Sequence, residues 1–215
     1  MHSTPSPRND VRRRIRGLYG LACADASHGD PMRLVHAMLR GGCRLIQLRC
    51  KGWTDDDLLR LTLEAVTACR PRGATLIVND RAEVAAAADA DGVHVGQKDA
   101  DGEAVRRAVG PDRIIGRSTH SPEMLREARR HADYLAFGPV FPTKRLSWDK
   151  PQQGLESLTT ARHHAGKHPL VAIGGITADR LPAVRAAGAD SWAVIGAIAE
   201  ATDAEQATRT LLGAP

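Results

Sequence analysis

Eight short apolar runs, each followed by an amphipathic stretch rich in Ala, Leu and Arg, predict a single-domain (β/α)8 barrel of the TIM class. Length agrees, because 215 residues suffice for one well-buried domain and are few for two. No linker or composition break interrupts the repeat from Gly17 to the end of the chain. The competing architecture, an open doubly wound sheet, usually has about five to seven strands, fewer than the runs found here.

Taken in order, residues 1–16 precede the barrel and residues 17–215 form it. The first stretch combines Ser3, Thr4, Pro5, Ser6 and Pro7 with Arg12, Arg13, Arg14 and Arg16, and is expected to be a disordered basic tail. No apolar stretch follows these arginines as it would in a signal peptide, and the prolines oppose an amphipathic targeting helix. The expected strands are Leu18–Cys23, Arg44–Cys50, Thr75–Asn79, Gly92–Gly96, Ile114–Ser118, Tyr134–Val140, Leu170–Gly174 and Ser191–Gly196. Helices fill the intervals. Thr54-Asp55-Asp56-Asp57 reads as a capping box, and Ser121-Pro122-Glu123 joins a cap, a first-turn proline and an acid at the positive end of a helix.

Composition narrows the function classes. Aromatic residues are only 3% of the chain, so the core must be aliphatic, and bases would find few rings to stack on. The net charge of +5 is therefore read as suited to phosphate-bearing small molecules rather than nucleic acid. No apolar run approaches the ~20 residues of a membrane-spanning helix. Cys23, Cys43, Cys50 and Cys69 lack metal-knuckle spacing and suit buried free thiols in a reducing cytoplasm.

In such barrels the chemistry gathers where the strands end. Gln47, Arg49 and Lys51 alternate with Leu48 and Cys50, so the polar set faces the barrel mouth while the apolar pair faces the helices. An arginine and a lysine together suit a diphosphate. Asp80 follows Asn79 at the end of the third strand, and Asp99 lies just past the fourth. Two carboxylates there could hold Mg²⁺, which takes few protein ligands, could act as an acid/base pair, or could simply cap helices. Gly174-Gly175 and Ile195-Gly196 end the seventh and eighth strands, where backbone N–H groups commonly take a phosphate. Two anionic pockets imply two phosphorylated substrates, or one with phosphate at both ends.

In this order, Gln47-x-Arg49-x-Lys51, Asn79-Asp80-Arg81, Asp91-Gly-Val-His94-Val-Gly-Gln97-x-Asp99, Ser118-Thr119-His120-Ser121, Gly138-Pro139-Val140-Phe141-Pro142-Thr143 and Gly174-Gly175-Ile176 resemble the thiamine-phosphate synthase family over nearly the whole chain after the tail. The resemblance implies a cytoplasmic, homodimeric transferase of thiamine biosynthesis. Its substrates would be 4-amino-5-hydroxymethyl-2-methylpyrimidine diphosphate and 4-methyl-5-(2-phosphoethyl)thiazole, with diphosphate released. It implies Mg²⁺ on Asp80 and Asp99, and diphosphate on Arg49, Lys51 and Asn79. Gln47 and Ser118 would meet the pyrimidine, with Thr143 and Lys144 beside the substrates, and the backbone at Gly175, Ile195 and Gly196 would take the thiazole phosphate. Arg49, Lys51 and Ser118 would be the catalytic set. His94 is either part of the site or a packed core histidine.

Two positions depart from the family pattern. Leu146 stands where a lysine is expected to meet the diphosphate, with Lys144, Arg145 and Lys150 nearby as substitutes, and Gly196 stands where serine is frequent. The sister group of thiazole tautomerases shares Gly116-Arg117-Ser118-Thr119-His120-Ser121 but needs no diphosphate or metal site. Retaining Arg49, Lys51, Asn79, Asp80 and Asp99 favours the synthase. A non-catalytic thiazole-phosphate-binding regulatory protein is the third reading, raised by Leu146.

Overall fold

The computed structural model describes residues 7–96, 102–143 and 152–213. Within them, α1 (Pro7–Arg14) precedes β1 (Gly17–Cys23), and the chain then alternates: α2 (Pro31–Arg40), β2 (Leu45–Arg49), α3 (Asp55–Cys69), β3 (Thr75–Asn79), α4 (Ala82–Ala87), β4 (Gly92–Val95), α5 (Gly102–Val109), β5 (Ile114–Thr119) and α6 (Pro122–Ala128). The last elements are β6 (Tyr134–Phe137), α7 (Gly154–Ala165), β7 (Leu170–Ile173), α8 (Leu181–Ala186), β8 (Ser191–Val194), α9 (Gly196–Ala199) and α10 (Ala204–Leu212). The strands form a closed ring in chain order, all parallel, with β8 returning to β1 through Gly17 opposite Ser191. The expected barrel is present.

The capping signals act as read. Thr54 Oγ1 accepts the Asp57 N–H at 3.2 Å, and Ser121 Oγ accepts that of Met124 at 3.3 Å. β6 stops at Phe137, short of Val140, because Pro139 has no N–H to donate to a ladder. The segment still follows β7, through Val140 N–H to the Ile173 carbonyl at 2.9 Å.

Alternation along the strands sorts side chains into two cores. Ile46, Leu48 and Cys50 join the layer between barrel and helices, while Tyr19, Leu21, Leu45, Ile77, Tyr134 and Val171 fill the barrel interior. All four cysteines are buried.

The expectation of a disordered tail over residues 1–16 is corrected from Pro7 onward; residues 1–6 lie outside the described residues. Val11 and Ile15 are four apart and share a face, which packs on the interior core and closes the barrel at the end where the strands begin. Ile15 is fully buried. Arg14 donates to Thr75 Oγ1 at 3.1 Å and ion-pairs with Asp91, and Arg12 donates to the Lys167 carbonyl at 2.9 Å. Much other positive charge is also structural. Arg106, Arg113, Arg129 and Arg162 donate to carbonyls at or just beyond the C-terminal ends of α5 and α7, where the helix dipole is negative.

Three aspartates at the same end repeat one arrangement. Asp91, Asp133 and Asp190 each stand one residue before an even-numbered strand and accept the N–H of Leu76, Ile115 and Leu170, all at 2.8 Å. Each also pairs with an arginine: Arg14, Arg106 and Arg162 respectively. The Ala-Asp dipeptide at 90–91, 132–133 and 189–190 is the sequence trace of this device.

Candidate active site

The mouth lies where the strands end. Arg49 closes β2 with its side chain 13% exposed, and one guanidinium nitrogen lies 4.0 Å from Asp25 Oδ2 in the turn after β1. Asp25 carried no signal in the sequence beyond its place after a strand. Lys51 follows in the next turn and is exposed.

Asn79 ends β3, half-buried. Asp80 comes next in the left-handed backbone region (φ 64°), with its N–H on the His94 carbonyl at 2.8 Å. Asp is among the few residues that tolerate this conformation. Arg81 turns away, donating to Asp55 at 2.8 Å.

Beneath these groups a polar network crosses the barrel interior. Gln47 is buried and donates from Nε2 to the Tyr19 hydroxyl at 2.7 Å. The hydroxyls of Tyr19 and Tyr134 are 2.8 Å apart. His94 reaches Tyr134 through Nδ1 and Ser118 Oγ through Nε2, both at 2.9 Å. Burial drives both phenols well above their ordinary range, so they stay protonated. His94 is thus at once a packed interior residue, as one reading allowed, and a direct partner of a candidate site residue. The part played by the two tyrosines was not legible. His120, by contrast, donates from Nδ1 to the Gly138 carbonyl at 2.7 Å, which supports the loop after β6.

Across the mouth, the loops after β7 and β8 enclose a cavity of about 490 Å³ lined by Gly174, Gly175, Ile195, Gly196, Thr143 and Glu200, among others. Gly175 has φ 62°, and a Cβ there would press on the Pro142 carbonyl and stand 2.9 Å from Phe141 Cβ. Only glycine fits this close approach. Arg180 fixes the loop by donating to the Gly175 carbonyl at 2.5 Å and lying 4.6 Å from the centre of the Phe141 ring. α9 starts at Gly196, and the first N–H groups of a helix have no partner within it. Thr143 belongs to this cavity, on the opposite side from Arg49. Asp99, Lys144, Arg145, Leu146 and Lys150 lie outside the described residues.

Residues 18–198 match the family model described as "Thiamine monophosphate synthase". The chain belongs to the thiamine monophosphate synthase family. Among similar proteins, a thiamine-phosphate synthase of Natronomonas pharaonis is 42% identical over 202 residues, covering 92% of this chain and 94% of that protein. One from a Synechococcus species is 43% identical over 179 residues, or 83% of this chain, and there the match spans 50% of the relative's length. The solved thiamine phosphate pyrophosphorylase of Pyrococcus furiosus superposes with a TM-score of 0.85 at 35% identity, covering 94% of this chain and 95% of that one. The stretch matched to the thiamine monophosphate synthase family begins on β1 and ends in α9, so it takes in both sides of the mouth and leaves out α1 and α10.

Proposed function

We propose that this chain is a thiamine-phosphate synthase, joining the aminopyrimidine diphosphate to the thiazole phosphate and releasing diphosphate. One observation carries the reading. A largely buried arginine at the end of β2 and an exposed lysine just after it stand on one side of the barrel mouth, with a glycine-walled cavity at β7 and β8 on the other and buried polar groups between them.

In this reading Arg49, Lys51 and Asn79 bind the diphosphate and stabilise it as it leaves. Gln47 and Ser118 orient the pyrimidine, and the backbone at Gly175, Ile195 and Gly196 holds the thiazole phosphate. The thiazole nitrogen forms a bond to the pyrimidine's methylene carbon as the carbon–oxygen bond to diphosphate breaks. No proton need be abstracted, so the protein contributes positioning and charge stabilisation. Lys144, in the stretch after Thr143, is proposed as a further diphosphate contact.

Mg²⁺ belongs to the same proposal. Asp80 offers a partly exposed hard oxygen donor beside Asn79, at the side of the mouth carrying Arg49. Mg²⁺ takes one or two carboxylates and completes its shell with water and phosphate. Asp80 and Asp99 would hold it, and when bound it would offset the diphosphate's charge. The reading extends to a cytoplasmic homodimer, which sedimentation of the purified protein would check.

The test mixes purified chain, both substrates and Mg²⁺. Thiamine monophosphate and diphosphate should form in equal amounts; no product would overturn the reading. Isomerisation of the thiazole carboxylate tautomer in its place would establish the tautomerase.

A further inference from the structure

At the end of the barrel away from the mouth, Arg14, Arg106 and Arg162 each pair with an aspartate. Arg16 and Arg185 stand at the same end without such a partner. Among the described residues, neither guanidinium makes a hydrogen bond or an ion pair. Both line a cavity of about 750 Å³, together with Arg12, Arg162, Asp190 and Trp192. It opens where the link from α1 to β1 meets the last turn of α8 and the foot of β8.

What holds each arginine decides what it has left to give. Arg162 is fully engaged, donating to Asp190 at 2.6 Å and to the carbonyls of Gly166 and His168. Asp190 is the acid among the described lining residues; Arg162 neutralises it, and it also accepts the Leu170 N–H. Arg12 commits Nε and one Nη to the Lys167 carbonyl. It keeps its charge, because a carbonyl accepts without neutralising. Arg185 is held by its flat face, its guanidinium carbon 4.4 Å from the centre of the Trp192 ring. Stacking of this kind fixes the plane of the group and leaves all its N–H donors free at the edge. Three unopposed positive charges therefore surround one recess, and low-dielectric walls focus such a field.

We propose that this cavity is a second anion site, separate from the mouth, which binds a small oligophosphate through Arg12, Arg16 and Arg185. Arginine meets phosphate oxygens in pairs. Guanidiniums brought from α1, from the link after it and from α8 call for a ligand with more than one anionic group. A nucleic acid fits poorly, because Trp192 is 6% exposed and covered by Arg185, leaving no ring in this cavity for a base. Bridging α1 and α8, the ligand fastens the N-terminal helix to the barrel. No mouth residue takes part, so the site stands or falls apart from the synthase reading.

The test titrates the full-length Arg49→Ala protein, its mouth weakened, with sodium tripolyphosphate in a calorimeter at constant salt without Mg²⁺. One equivalent should bind and raise the melting temperature. Adding Arg16→Glu should weaken binding by about tenfold or more, the scale of a charge-assisted contact. Since Arg16 has no partner to lose, the fold should survive, which a melt without ligand checks. Adding Arg185→Gln should weaken binding likewise. Arg13→Glu makes the same charge change on an exposed residue of α1 outside the cavity. It should alter binding by less than about twofold, because salt screens exposed charge. Absence of binding would overturn the proposal, as would binding indifferent to Arg16→Glu. An equal loss with Arg13→Glu would also overturn it, by showing only diffuse surface charge.

Discussion

Asp133 accepts the backbone N–H of Ile115 at 2.8 Å and so ties the foot of β6 to that of β5. Arg106 completes the clamp from α5, 2.7 Å from the same carboxylate. The device lies at the end of the barrel away from the mouth, where charge serves stability rather than chemistry. Asp133→Ala strands an N–H and an arginine that are partly buried, and should lower stability by about 2 kcal/mol. Denaturant unfolding would show this, with activity per folded molecule unchanged.

Ile15 is the plug of the same end. Its complete burial in the interior core predicts that Ile15→Ala leaves a cavity and loses about 2–4 kcal/mol. Chemical denaturation would measure it, and a change below about 0.5 kcal/mol would mean that α1 is not docked in solution.

Asp80 and its backbone can be separated by substitution. Asparagine also tolerates the left-handed region, so Asp80→Asn should keep the fold within about 0.5 kcal/mol. In the proposed reading the same change weakens Mg²⁺ binding and lowers kcat/KM by about 100-fold or more. Activity measured against Mg²⁺ concentration, beside a thermal melt, checks both halves.

Gly175→Ala asks for a Cβ at φ 62° and against the Pro142 carbonyl. The strained loop should shift away from the cavity, raising KM for the thiazole phosphate more than that for the pyrimidine diphosphate. Stability should fall by about 1–3 kcal/mol. Equal effects on both substrates would count against a phosphate pocket there.

Burial pushes the thiols of Cys50 and Cys69 from 9.0 up to about 12, and raises that of Cys43. The folded state thus retains protons that the unfolded chain gives up, so rising pH favours unfolding across that interval. Stability should be flat with respect to these groups below pH 9 and fall between about 9 and 12. Melting temperature against pH would show the decline, and Cys50→Ala should reduce it.

The mouth residues were legible because they break a pattern. Arg49 and Asp80 are charged at the ends of apolar strands, and the paired glycines stand where a helix should begin. Tyr19 and Tyr134 break nothing. An aromatic residue inside a strand reads as core, and only the closing of the ring puts their hydroxyls 2.8 Å apart across 115 residues of chain. The docking of α1 was hidden for the opposite reason: Val11 and, just past the helix, Ile15 are outnumbered by arginines whose partners, Asp91 and the Lys167 carbonyl, are distant in sequence.

Strand and helix order, the caps at Thr54 and Ser121, and the residues that face the mouth were determined by the sequence itself. They depend on periodicity, on local hydrogen bonding, and on the alternation of side chains along a strand. The tertiary structure alone decided which mouth residues are joined beneath the surface, on which side Thr143 lies, and that the basic leader is a plug. Those are long-range contacts, and they exist only once the eighth strand has met the first.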